Sequence, residues 1–293
     1  MALMLKVSEI FKTKKHTYSF EFFPPKTEQG AEKLFQTIEE LAVLKPDFIS
    51  CTYGAGGGNR DKTFEIVQKV QEKHQIPGVA HLTCVLSTKE QLKQILADVK
   101  NRGIHNILAL RGDAPKEFPS WQPTDENLKY SSELAAFIRQ QHGDYFGIAV
   151  AGFPEGHLLC RDRNLDAQYL KLKITSGADF VITQLFFNNQ DYFDYVERLR
   201  KIGVTNRVIP GILPITDYDS LIRFCNLCGA TVTEEIQKIF APIKDDKEKT
   251  LEAGIKFAIR QCQELLKGGA PGLHFYSLNK KTPTDIILSE VRV

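Results

Sequence analysis

Short runs of β-branched and aromatic residues alternate along the chain with longer stretches in which apolar residues return every three or four positions. The short runs carry the two-residue period of a strand, and the long stretches carry the 3.6-residue period of a helix with one apolar stripe. Eight strands are predicted, at residues 18–23, 47–52, 79–83, 106–110, 145–151, 180–184, 207–211 and 273–277. Ala31, Leu34, Phe35, Ile38, Leu41 and Ala42 form the stripe of one intervening helix. Ser87 followed by Glu90 has the spacing of a capping box, opening a helix that carries Leu92, Ile95, Leu96 and Val99; Gly103 closes it, and Gly177 and Gly203 end two later helices in the same way.

Strand and helix repeated eight times predict a parallel sheet, which either stays open as a doubly wound layer or closes into a barrel. The chain has 293 residues and no Pro-rich or Gly/Ser-rich linker, so one continuous domain over 1–293 is expected. A closed (β/α)8 (TIM) barrel of about 250 residues fits that length best. The surplus falls in an amphipathic N-terminal helix bearing Val7, Ile10 and Phe11, and in a long helical stretch, 231–267, between strands seven and eight.

Lys and Arg total 38 against 36 Asp and Glu, so no basic surface marks a nucleic-acid partner. No apolar run approaches the roughly 20 residues that cross a bilayer, and Lys6 interrupts the opening residues too early for a secretory core. A cytoplasmic protein is expected. The six cysteines are scattered as reduced thiols would be, and the lone Cys225/Cys228 pair lacks the second pair or histidines of a zinc site. No metal is expected.

Reactive groups of a barrel gather at the C-terminal ends of its strands. Glu21 stands out there: alternation puts it on one face with Ser19, and Phe20 and Phe22 on the other. With the phenylalanines under the helices, Glu21 enters the lumen, where desolvation is expected to raise its pKa and let it hold a proton at neutral pH. Arg111-Gly-Asp113 follows strand four, Phe153 to His157 follows strand five, and Gln184 ends strand six with an amide suited to a heterocycle edge. His81 and His274 lie within strands and read equally as core histidines or cofactor contacts. The run Gly54-Ala-Gly-Gly-Gly58 fits neither a dinucleotide fingerprint nor a P-loop.

Eight strings in order, one per strand, carry a resemblance. They are Phe20-Glu-Phe-Phe-Pro-Pro25; Thr52-Tyr-Gly-Ala55 with Arg60 and Thr63; His81-Leu-Thr83; Ala109-Leu-Arg-Gly-Asp113; Phe153-Pro-Glu155 with His157; Thr183-Gln184 with Phe186-Phe187; Pro210-Gly-Ile-Leu-Pro214; and His274-Phe-Tyr276 with Leu278-Asn279. From about Ser19 to Lys280 the chain resembles the methylenetetrahydrofolate reductase family.

That resemblance implies a barrel flavoprotein of one-carbon metabolism and methionine biosynthesis, holding non-covalent FAD. The flavin takes electrons from NADH or NADPH and reduces 5,10-methylenetetrahydrofolate to 5-methyltetrahydrofolate in a ping-pong cycle. By the same resemblance Glu21 and Asp113 are the catalytic pair, and Gln184, Phe224, Thr52, Leu278 and Lys280 meet the substrate. Thr52, His81, Arg111, Gly112, Asp113, Tyr130, Ser131, Phe153, His157, Asp166 and Lys173 would line the FAD site, with Lys173 near the diphosphate. A homo-oligomer is implied, and no membrane partner.

Bacterial relatives often carry tyrosine at Phe153, asparagine at Tyr169, and arginine at Leu172 and Lys280; a lysine cannot make arginine's bidentate fork to a carboxylate. The chain stops soon after strand eight, so the regulatory domain of longer eukaryotic relatives is not expected. Two alternatives stay open: a barrel flavoprotein fed by a partner protein, and a non-catalytic flavin-binding subunit. Retention of Glu21 and Gln184 speaks against the first, and retention of the acid Glu21 against the second.

Overall fold

A computed structural model describes residues 5–53, 60–113 and 121–292. Its parallel strands run β1 Thr17–Phe22, β2 Phe48–Cys51, β3 Gly78–Thr83, β4 Asn106–Leu110, β5 Gly147–Gly152, β6 Phe180–Thr183, β7 Arg207–Ile209, β8 Gly211–Ile212 and β9 Gly272–Tyr276. From β1 to β7 each strand neighbours the next in the sheet, and β9 pairs with both β1 and β8, so the sheet wraps round on itself. The predicted (β/α)8 barrel is thus present. The single seventh strand of the sequence reading is two: β7 pairs with β6 and β8 with β9, separated by Pro210. Proline has no N–H for the ladder, and the Pro210 carbonyl instead accepts from the His274 N–H at 3.0 Å.

Helices alternate with the strands: α1 Val7–Thr13, α2 Glu28–Ala42, α3 Arg60–His74, α4 Lys89–Asn101, α5 Ser131–His142, α6 Arg163–Thr175, α7 Asn189–Lys201, α8 Tyr218–Cys228, α9 Glu234–Phe240, α10 Lys247–Lys267 and α11 Thr284–Val291. The stretch predicted at 231–267 is therefore α9, a 3-10 turn at Ala241–Ile243 and α10. The capping box of α4 also differs from expectation: Thr88, not Ser87, is the N-cap, and its partner is Gln91, not Glu90. Leu86 adopts a positive φ of 59°, and the extended residue that follows this bend and meets the helix is Thr88. Gly103, Gly177 and Gly203, with φ of 67°, 117° and 86°, lie just past α4, α6 and α7 as predicted.

Two apolar layers result. Phe20 and Phe22 join the large core between sheet and helices, while Phe48, Val79, Leu108, Phe180 and Ile209 fill the lumen. Val7 and Phe11 of α1 pack into that lumen cluster, with the Val7 N–H donating to Asn106 Oδ1 at 2.7 Å, so the N-terminal helix plugs one end of the barrel. The opposite end, where the strands finish, carries the polar residues.

Candidate active site

Register places Ser19 beside Phe48 and His274, and Glu21 beside Ser50 and Tyr276, so side chains from β1, β2 and β9 meet in the lumen. Glu21 is the centre of this group. Its Oε2 accepts from Ser50 Oγ at 3.3 Å and lies 3.4 Å from His274 Nε2 and 3.3 Å from His81 Nε2. His274 is fully buried, stacked on Phe48 at 6.0 Å, with Nδ1 2.8 Å from Ser19 Oγ. His81 is buried too, yet its Nε2 makes no hydrogen bond of regular geometry to any group.

The expected protonated Glu21 is not what this surrounding produces. Burial does push its carboxyl up, but the facing His81 and His274 rings outweigh burial and hold it down at about 2. Desolvation was legible from the sequence; the two imidazoles across the barrel were not paired with Glu21 there.

Above Glu21 opens a cavity of about 290 Å³, reaching from Glu21 and His81 past Leu110 to Gln184, Phe224 and Leu278. The Gln184 Oε1 accepts from the Leu185 N–H at 2.9 Å, which leaves the NH2 end of the amide for a ligand's acceptor. The second lone pair of Oε1 stays available beside that bond, so a two-way grip on a heterocycle edge, as the sequence suggested, is compatible with it. Tyr276 donates to the Thr183 carbonyl at 2.6 Å, and Thr183 Oγ1 accepts from the Gly211 N–H at 2.9 Å, which ties β6, β8 and β9 together behind Gln184. Phe224 comes from α8, whose inner side belongs to a third apolar cluster with Leu185, Leu213 and Phe257.

A second group lies around the end of β5 and α6. Lys173 Nζ donates to the Ala151 carbonyl at 2.9 Å and sits 5.3 Å from the Phe153 ring centroid, and Phe153 stands edge-on to His157 at 4.6 Å. Burial lowers the Lys173 pKa to about 8, and Asp166, itself raised by burial, offsets this only in part. Burial and then the Lys173 charge lower the His157 pKa. No carboxylate among the described residues lies within ion-pair distance of Lys173, so this half-buried ammonium suits an anionic ligand segment. Gly112, at φ 81°, has no room for a side chain, since a Cβ would stand 2.6 Å from Val85 and 2.8 Å from Thr83; the left-handed turn and the close packing against β3 both require glycine here.

Other sequence candidates lie apart from the cavity lining. Thr52, Arg111, Tyr130, Ser131 and Lys280 are not among its walls, and neither is Asp113. The Asp113 side chain is 96% exposed at the rim, 3.7 Å from the Arg111 guanidinium. Residues 54–58 lie outside the described residues. Alternation placed Ser19 on the inward face with Glu21, but Ser50 and Tyr276 were not singled out; the signal was the same alternation on β2 and β9. Among the described residues no cluster of His, Cys, Asp and Glu could hold a metal ion.

Comparison with known proteins meets this geometry from the other side. The family model for methylenetetrahydrofolate reductase matches residues 6–292. A methylenetetrahydrofolate reductase (NADH) of Arabidopsis thaliana is 35% identical over 95% of this chain, and the chain spans about half, 49%, of that relative's length. The 5,10-methylenetetrahydrofolate reductase of Escherichia coli is 34% identical over 89% of this chain and 86% of its own. Among solved structures, a Clostridium thermocellum protein with two bound copies of 5-methyl-5,6,7,8-tetrahydrofolic acid has a TM-score of 0.65 at 14% identity, covering 98% of both chains. A dihydropteroate synthase of Xanthomonas albilineans follows with a TM-score of 0.51 at 12% identity, which reflects the barrel alone.

Proposed function

This chain belongs to the methylenetetrahydrofolate reductase family, and we propose that it reduces 5,10-methylenetetrahydrofolate to 5-methyltetrahydrofolate with electrons from NADH or NADPH. The observation that carries this reading is a single carboxylate, Glu21, set at the floor of a largely apolar cavity at the C-terminal end of the barrel. A protein of like fold binds 5-methyltetrahydrofolate, which supports a folate in that cavity. FAD fits the neighbouring group: Lys173 and the Gly112 backbone would take its diphosphate side, with Phe153, His157 and Asp166 beside them. When bound, the flavin would receive hydride from the nicotinamide and pass it to the folate.

The rest is work for this chain's own side chains. Opening the five-membered ring of the substrate needs a proton on N10, and Glu21 is the acid closest to the cavity. In the open mouth its carboxylate is ionised, faced by His81 and His274. An aromatic substrate filling the cavity strips water from that carboxylate, and the added desolvation raises its affinity for a proton. Gln184 donates its free NH2 to a pterin acceptor, while Phe224 and Leu278 cover the ring. Ring opening leaves a cationic iminium on the folate, and Asp113 at the rim is the negative charge assigned to it.

Steady-state turnover with NADH and NADPH in turn, with the folate product identified by mass, tests the reading. Formation of 5-methyltetrahydrofolate by the wild type, and its loss in Glu21→Gln, is expected. No methyl product with either nucleotide would overturn it.

A further inference from the structure

The main-chain pairing of β1 with β9 ends at Glu21 and Tyr276, just where the catalytic carboxylate leaves the sheet. Beyond that point two side chains continue the ladder. Ser277 Oγ donates to the Glu21 carbonyl at 2.6 Å. The Asn279 side chain then acts as a peptide group would: its Oδ1 accepts from the Phe23 N–H at 2.9 Å and its Nδ2 donates to the Phe23 carbonyl at 2.8 Å. Glu21 and Phe23 are thereby held from one side although no β9 backbone reaches Phe23.

The turn that makes this possible is unusual. Leu278 and Asn279 both adopt left-handed backbone, with φ of 51° and 57°. Asparagine tolerates that region; leucine does so only against a steric penalty. The surroundings must over-determine such a residue, and the two bonds of Asn279 to Phe23 are the means. The consequence reaches the cavity directly, because Glu21, Phe23 and Leu278 all line it.

We propose that Asn279 is a positioning residue, whose two-way bond to the Phe23 backbone sets Glu21 and Leu278 at the geometry needed for proton delivery to the folate. The proposal rests on the function assigned above. It separates two halves of the cycle: flavin reduction by nicotinamide needs no proton from Glu21, whereas flavin re-oxidation by the folate does. Displacement of a reacting group by about 1 Å can lower a rate about 10²-fold. Asn279 therefore governs re-oxidation and leaves reduction nearly untouched.

The test is rapid-mixing measurement of both half-reactions in FAD-loaded wild type, Asn279→Ala and Asn279→Asp. Asn279→Ala is expected to slow re-oxidation by methylenetetrahydrofolate about 10²-fold while changing the reduction rate less than about twofold. In Asn279→Asp the carboxylate can still accept from the Phe23 N–H but cannot donate to its carbonyl. Its re-oxidation rate, relative to wild type, should rise as pH falls and the new carboxyl takes up the proton that restores the donor. Should the alanine variant fail to fold, that pH-dependent recovery decides alone. Re-oxidation at the wild-type rate in both variants, equal slowing of both half-reactions, or an aspartate variant indifferent to pH would overturn the role of Asn279. A wild type whose reduced flavin is not re-oxidised by the folate is a different failure, that of the assigned reaction.

Discussion

At the residue scale the chemistry turns on how one carboxyl is held. Glu21 was legible in the sequence as a charge in an aromatic strand, and alternation correctly aimed it inward. Its ionisation was not legible, because His81 and His274 come from strands far along the chain and only closure of the barrel sets them against Oε2. The depressed carboxyl ties stability to pH. Its folded pKa, about 2, lies below the ordinary 4.5, so the stabilisation is present above 4.5 and is lost as pH falls toward 2. Acid-unfolding curves of wild type and Glu21→Gln should therefore converge over that window; parallel curves would contradict the imidazole contacts. In catalysis the same substitution should slow folate reduction by about 10²- to 10⁴-fold and leave flavin reduction intact, as measured in separate half-reactions.

Single elements carry the next level. The α4 start shows how far local patterns reach: Ser87 and Thr88 are both competent caps with a long polar residue three positions on, and composition does not choose between them. The bend at Leu86 chooses Thr88. Thr88→Ala should lower stability by about 1 kcal/mol in chemical denaturation, and Ser87→Ala by a few tenths at most; the reverse order would refute the assigned cap. On α6, Lys173 has its pKa lowered from 10.5 to about 8 by burial, so an anion binding there would restore its proton. FAD affinity should accordingly weaken as pH rises through about 8. Lys173→Met should weaken FAD binding about tenfold to hundredfold and flatten that pH dependence, measured by fluorescence titration of the apoprotein. A variant that binds FAD like the wild type would remove Lys173 from the site.

For the whole molecule, the two-residue and 3.6-residue periods were enough to read the repeated strand and helix, and chain length then favoured closure into the barrel over an open sheet. What stayed hidden depends on closure: the break of strand seven at Pro210, the plug formed by Val7 and Phe11, and the meeting of Ser19, Ser50 and His274 around Glu21. The measurement that bears most directly on the proposed activity is an anaerobic spectral titration of the FAD-loaded protein. NADH or NADPH should bleach the yellow flavin band, and methylenetetrahydrofolate should then restore it with one 5-methyltetrahydrofolate formed per flavin. A protein that stays colourless after incubation with FAD would contradict the flavin site, and a bleached band that the folate fails to restore would contradict the reaction.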